Sequence, residues 1–260
     1  MDQPAPRSLK HEYDMFVENE IELYKDTISR TNLLKIGDEA VAALEAEAQF
    51  AMNELVLCDE VDKIIRKRQR IPSYATWRKG ELKRQKEQED FRRPERWGLR
   101  SDCVLAREVH PPAESRVLVA GAESANAALY LAAQGCSVTA IDSAYPERDT
   151  ALDASDVALL RGRIESNFAG LANWSPDEPL SAFVCTAAAF DGLSADERLK
   201  VFEILKSATR DGGVHLVETL IAGQAELSLA ELRRSYKGWT ISVLDGGASS
   251  KSFLARKAVA

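Results

Sequence analysis

The stretch from Arg116 to Asp142 restricts what this chain can fold into more than any other. Arg116 to Ala120 (RVLVA) is a short, apolar, β-branched run, the pattern of a buried strand. Ser124 to Gln134 follows with Ala128, Leu131 and Ala132 at helical spacing. Gly135 then stands where a helix needs a C-cap, because glycine alone takes the left-handed conformation without a Cβ penalty. Cys136 to Ile141 (CSVTAI) is a second apolar run. Strand, turn, helix, turn and strand in this order start a parallel sheet, since parallel neighbours need a crossover between them.

Downstream, further strands are expected at 157–160, 182–186, 213–219, 240–244 and 252–255, with helices at 195–208, capped by Ser194, and at 228–236. The last two strands are separated by DGGASSK alone, too few residues for a parallel crossover. They must pair as an antiparallel hairpin if they pair at all.

The first hundred residues differ in kind. They carry helix-period patterning and long charge runs, so a boundary falls between Pro94 and Arg100. Phe16, Ile21, Leu23, Ile28 and Leu33 suggest one helix. Asp38 is a plausible N-cap for a second, about eight turns long, through Ala40, Leu44, Ala48, Met52, Leu55 and Ile64, ending before Pro72. A third, charged helix runs from Tyr74 to Phe91. Residues 1–62 hold 5 Lys/Arg against 15 Asp/Glu, whereas 63–100 hold 14 against 5. Two readings stand: the runs neutralise each other side by side, or Arg66, Lys67, Arg68, Arg70, Arg78, Lys79, Lys83 and Arg84, with Tyr74 and Trp77 between them, offer a surface to RNA or another polyanion.

A net charge of −7 argues against nucleic-acid binding over the whole surface. Cys58, Cys103, Cys136 and Cys185 form no C-x-x-C pair, and His11, His110 and His215 are equally scattered, so no metal site is expected. The start of the chain lacks an apolar leader core and no run is long enough to span a membrane, which is the pattern of a soluble, cytoplasmic protein.

The loop Gly121-Ala-Glu-Ser-Ala125 lies where an open α/β sheet binds its ligand, after a parallel strand and before a helix. Asp142 ends the second strand 21 residues after Gly121. An acidic side chain there can accept hydrogen bonds from both hydroxyls of a ribose, of a nicotinamide dinucleotide or of S-adenosylmethionine (SAM). Asp142 can equally serve as a turn former ahead of Pro146.

At this point the sequence resembles a known family. VLVAGAESANAALYLAAQGCSVTAID is similar to the nucleotide-binding segment of class I SAM-dependent methyltransferases, usually VLDLGCGTGxxAxxLAxxGxxVTAVD. FVCTAAAFDGLSADERLKVFEILKSATRDGGVHLVETL resembles the family's fourth strand, the next helix and the G-G turn before its fifth strand, and SLAELRRSYKGWTISVLDGGASSKSFLARK its closing helix and hairpin. The resemblance implies an α/β fold class: a Rossmann-like, seven-stranded, mostly parallel sheet with a terminal antiparallel hairpin over 97–260, behind an all-helical N-terminal unit over 1–96. It implies SAM as cofactor, with Gly121 and Ala122 admitting its methionine moiety, Asp142 holding the ribose, Ser143 near the adenine, and Glu165 or Ser166 reaching the adenine edge. Cys185, Thr186, Ala187 and Ala188 would line the methyl-transfer cleft.

Val119 stands where the family usually has an acidic residue, and Glu123 and Ala125 replace two loop glycines. Glu123 either supplies the missing acidic group to the ammonium of SAM or fills the pocket, which would leave a catalytically silent scaffold whose helical unit binds a protein or nucleic-acid partner. The implied activity is methyl transfer from SAM, to a small molecule first and RNA second. Such transfer needs alignment more than a base, and no catalytic residue stands out; His215 inside GGVHLVE reads as a strand residue.

Overall fold

Helix α1 (Leu9–Thr27) begins where Ser8 accepts a hydrogen bond from the His11 amide, a standard N-cap. The computed structural model that contains it describes residues 8–46, 54–121, 124–141, 154–167, 170–221, 227–247 and 250–259. The chain divides into two units, Met1–Glu87 and Gln88–Ala260.

In the first unit α1 is followed by α2 (Arg30–Ala46), α3 (Glu54–Arg68) and α4 (Tyr74–Phe91), the last continuing into the second unit. The single long helix expected from Asp38 onward is therefore two. Arg68 pairs with Glu39, residues that an unbroken helix would hold about 43 Å apart, so the chain reverses between α2 and α3. Ile36 and Ile65, both fully buried, meet with Ile21 in one apolar cluster. Asp38 lies inside α2 and caps nothing; the cap is Ser29, whose hydroxyl accepts from the Asn32 amide. Tertiary closure of a short apolar stripe explains the break, because a helix hairpin buries both stripes against each other where one straight helix leaves them in water.

The second unit holds a short helix α5 (Val104–Glu108), then β1 (Arg116–Ala120), α6 (Ala125–Ala133) and β2 (Ser137–Ile141), with α7 (Ala154–Leu160) and β3 (Ile164–Asn167) next. It continues through β4 (Leu180–Thr186), α8 (Ala195–Ala208), β5 (Thr209–Ile221), α9 (Leu229–Ser235), β6 (Thr240–Gly247) and β7 (Ser250–Arg256). Seven strands of the described residues form one sheet in the order β3-β2-β1-β4-β5-β7-β6. The pairings among β1 to β5 are parallel, and β7 is antiparallel to both β5 and β6. The seven-stranded, mostly parallel sheet with a closing hairpin is thus present. Gly135, at φ +95, ends α6 as expected.

One strand was expected in the wrong place. Residues 157–160 belong to α7, where Val157 and Leu160 face the core at a spacing of three while Leu159 is 72% exposed. That period is helical. The third strand is Ile164–Asn167, an edge strand with a single apolar residue, held by its ladder to β2 from Val138↔Ile164 to Ile141↔Asn167. Its polar composition hides it from pattern reading, since an edge strand buries little.

Alternation along the central strands splits the core in two. Val117, Val119, Val138, Ala140, Ala182, Val184, Val214 and Leu216 face α6 and Trp97 on one side. Leu118, Ala120, Ile141, Phe183, Cys185, Val217 and Phe253 face α8 and α9 on the other. Parallel strands buried on both faces read as continuous apolar runs, as RVLVA and LSAFVCT do.

Candidate functional site

At the carboxyl ends of β1 and β4 one glycine and one threonine are matched to each other. Gly121 follows β1 and stays in the ladder, its amide donating to the Ile141 carbonyl of β2 at 3.0 Å. Its φ is +106, and a Cβ built on it would lie 2.7 Å from Thr186 Oγ1. No side chain fits there, on grounds of both backbone conformation and space. Ser124 closes the loop, its amide and its hydroxyl both donating to the Gly121 carbonyl. The first turn of α6 consequently receives no side-chain cap from Ser124.

Thr186 ends β4 with a buried hydroxyl that finds no hydrogen-bond partner among the described residues. A buried polar atom without a partner costs about 1–3 kcal/mol, so a hydroxyl left in that state at a strand end suits a ligand that completes it. One strand further, Glu218 of β5 is the register partner of Thr186. Both project to the α6 side of the sheet, as alternation from Val184 and Leu216 requires. Burial holds the Glu218 carboxyl above the usual carboxylate range. The Cys103 thiol, next to α5, lies within electrostatic reach of Glu218; burial pushes it up, with a smaller contribution from the carboxylate. Cys185, wholly buried on the opposite face, is pushed up in the same way and further.

Of the residues expected to bind cofactor, the structure brings Gly121 and Thr186 together. Ala187 is buried in the short turn Ala187–Phe190 directly after β4, and Ala188 beside it is exposed. Ala122, Glu123, Asp142 and Ser143 lie outside the described residues. Glu165 is exposed on β3, opposite Thr139, and so faces the α8 side rather than the Gly121–Thr186 side. There it lines a cleft of about 340 Å³ with Arg116, Asn167, Trp174 and Glu178. Ser166, opposite Ala140, shares the face of Thr186. Glu218 and Cys103 did not stand out in the sequence. The one available signal was that Glu218 is the acidic residue ending the apolar run after Gly213, toward a strand's carboxyl end.

His215 is fully buried in β5 and serves the core. The single proton of Thr209 Oγ1 goes to the Leu205 carbonyl at 2.6 Å, so His215 Nε2, 2.6 Å away, donates to Thr209, and Nδ1 accepts from the Tyr236 hydroxyl at 2.7 Å. Burial, aided by Lys206 and Lys257, pushes its pKa down to about 3, which keeps the ring neutral.

The basic stretch is partly spent within its own unit. Arg66 donates to the Tyr13 hydroxyl, Arg68 pairs with Glu39, Lys83 with Glu87 and Arg84 with Glu81. Tyr74 and Trp77 pack against Tyr13 at ring-centroid distances of 5.3 and 5.5 Å, and Trp77 stacks on Phe16. Among the described residues, Lys67, Arg70, Arg78 and Lys79 form no ion pair. Arg68–Glu39 joins the basic stretch to a distant part of the acidic one, while Lys83–Glu87 and Arg84–Glu81 are local to one helix. Among the described residues no three His, Cys, Asp or Glu side chains are grouped as metal ligands, and no helix is long and apolar enough to cross a membrane.

The chain matches no protein-family model and no curated protein. Among solved structures it is similar to a glycopeptide N-methyltransferase, MtfA, complexed with S-adenosyl-L-homocysteine, at 13% identity and a TM-score of 0.44 over 59% of this chain and 86% of that one. It is similar to TehB from Haemophilus influenzae at 19% identity and a TM-score of 0.44, over 61% of this chain and 62% of that one. A methyltransferase of calicheamicin biosynthesis, in its S-adenosyl-L-homocysteine-bound form, gives 17% and 0.45 over 60% and 52%. The chain thus spans less than two thirds of the latter two. Its own strand order and closing hairpin are those of the class I methyltransferase fold.

Proposed function

We propose that this chain is a SAM-dependent methyltransferase acting on a small molecule. The observation that carries this is the fit of Gly121 to Thr186: a bare backbone at the end of β1 facing a buried hydroxyl at the end of β4 that has no partner among the described residues. These are the strand ends at which an open α/β sheet takes a nucleotide-like ligand. Gly121 leaves room for the methionine part of SAM, Thr186 offers it a hydrogen bond, and Asp142, immediately after β2, accepts from the ribose hydroxyls. SAM supplies a methyl group activated by its sulfonium. The protein's task is then to hold the acceptor in line with that methyl and to exclude water, for which proximity and orientation suffice. His215 takes no part as a base, being neutral and enclosed by Thr209, Tyr236 and Phe183.

A small acceptor is favoured over RNA because half of the eight basic side chains that would meet a polyanion are engaged by Tyr13, Glu39, Glu87 and Glu81, and both interleaved aromatic rings are packed internally. Titration calorimetry of the full chain with SAM tests the proposal. The expected result is saturable binding, weakened about tenfold or more by Gly121→Ala, whose methyl collides with Thr186 Oγ1 and whose φ is strained by about 1–3 kcal/mol. No heat and no rise in melting temperature with either SAM or S-adenosylhomocysteine would sink it and leave a silent scaffold as the reading.

A further inference from the structure

We propose that Glu218 is the carboxylate that receives the α-ammonium group of the cofactor's methionine moiety. The inference rests on the SAM-binding reading above and goes beyond it by assigning a residue of the fifth strand to the ligand.

The placement follows from the sheet. Along the carboxyl edge the strands run β2, β1, β4 and β5, spaced by about 4.8 Å each. A ligand whose ribose sits at the end of β2 and whose chain passes the bare Gly121 at the end of β1 is directed toward the end of β4, with β5 next. Thr186, at the end of β4, is paired in register with Glu218, where the β4 pairing of β5 stops, three residues before the end of β5, and both are on the same face as Gly121. The far end of such a ligand is an amino acid, and its ammonium is a full positive charge that needs a compensating anion when taken out of water. Among the described residues, Glu218 is the acidic side chain that this row presents. Its carboxyl is partly desolvated, on the residue that pairs in register with Thr186.

The surroundings make the carboxylate's charge state matter. Burial holds the Glu218 carboxyl up, and a cation arriving beside it favours the ionised form, so binding and ionisation are linked. Among the described residues the titratable groups near Glu218 are Cys103 beside α5, Cys185 on β4 and, behind Cys103, Tyr130 of α6. All three are held above their ordinary values by burial and stay neutral through neutral pH. A carboxylate titration is therefore separable from theirs.

The test is titration calorimetry of the full-length chain with SAM and with S-adenosylhomocysteine between about pH 5 and 8. Both ligands carry the ammonium, and SAM alone carries the sulfonium. Glu218→Gln is expected to weaken both ligands alike, by about tenfold or more. The wild type should bind tighter as pH rises through the titration of Glu218 and then level off. This slope should vanish in Glu218→Gln and persist in Glu218→Asp, which keeps the charge and guards against a merely structural loss. The assignment is overturned if Glu218→Gln leaves both affinities within about twofold of wild type, or if SAM weakens while S-adenosylhomocysteine does not. If the wild type binds neither ligand, the methyltransferase reading itself has failed and this inference with it.

Discussion

The two units of this chain reach order by different physics. The sheet unit buries Trp97, Phe183, Phe190, Phe202, Tyr236 and Phe253 almost completely, on both faces of a parallel sheet. In the helical unit the buried apolar residues among those described are Tyr13, Ile21, Ile36, Ala40, Leu44 and Ile65. Much of what remains there is local, such as the exposed pairs Lys10–Asp14, Lys63–Glu60 and Lys83–Glu87 within single helices, which contribute little in water. Apolar burial scales with area removed from water. The sheet unit accordingly has packing to spare for an unsatisfied hydroxyl and a buried carboxyl at its edge, whereas the helical unit has little margin. A strained group persists only where the surroundings over-determine it, and that condition holds at Thr186, whose buried hydroxyl has no partner among the described residues.

The contrast can be broken by experiment. Trp97→Ala removes the largest fully buried side chain, its contact with Phe91 at 5.1 Å and its hydrogen bond to the Phe91 carbonyl at 2.8 Å. It should cost about 3–5 kcal/mol, read as faster amide exchange in β1 and β4. Equal acceleration in α2 and α3 would show that both units unfold as one and would end the comparison. Ile65→Ala empties the centre of the small cluster with Ile21 and Ile36 and should cost about 2–4 kcal/mol. A loss well under this, measured by exchange in α2 and α3, would mean that the helices are held by local interactions alone. The smallest effect concerns pH. His215 has its pKa lowered to about 3 in the folded state, while the unfolded chain takes up a proton near 6.5. Below that value the unfolded state binds more protons, so stability falls as pH falls. Between about pH 7.5 and 5 the loss is about 2 kcal/mol, visible in urea midpoints and absent from the same comparison in His215→Gln.

Much of the sheet was legible because its strands are buried on both faces. RVLVA, SVTAI and LSAFVCT are mostly apolar, broken only by small hydroxyl side chains and the leading Arg116, so neither register nor partner had to be known. The same logic failed at Ile164–Asn167, where the ladder with β2 makes a strand of polar residues, and at 157–160, where a short apolar run fits strand and helix equally. In the helical unit Tyr74–Phe91 was legible from its charge-rich helical run. The hairpin of α2 and α3 was not, because a period of 3.6 does not say where an apolar stripe folds back on itself. At the site, the Gly121 loop was singled out by its place after a strand and Thr186 by the family resemblance alone, whereas Glu218 passed unnoticed. A single acidic residue after GGVHLV has no special pattern until β4 and β5 are set in register.

By itself, then, the sequence determined the strand, turn and helix alternation, the glycine at the end of β1 and the closing hairpin, because each depends on near neighbours in the chain and on backbone stereochemistry. The tertiary structure decided what depends on distant pairings: that Thr186 hangs over Gly121 with its hydroxyl unpartnered among the described residues, that Glu218 is its register partner, and that His215 is locked neutral between Thr209 and Tyr236. Burial and register belong to the assembled sheet, and they are what turns ordinary side chains into a site.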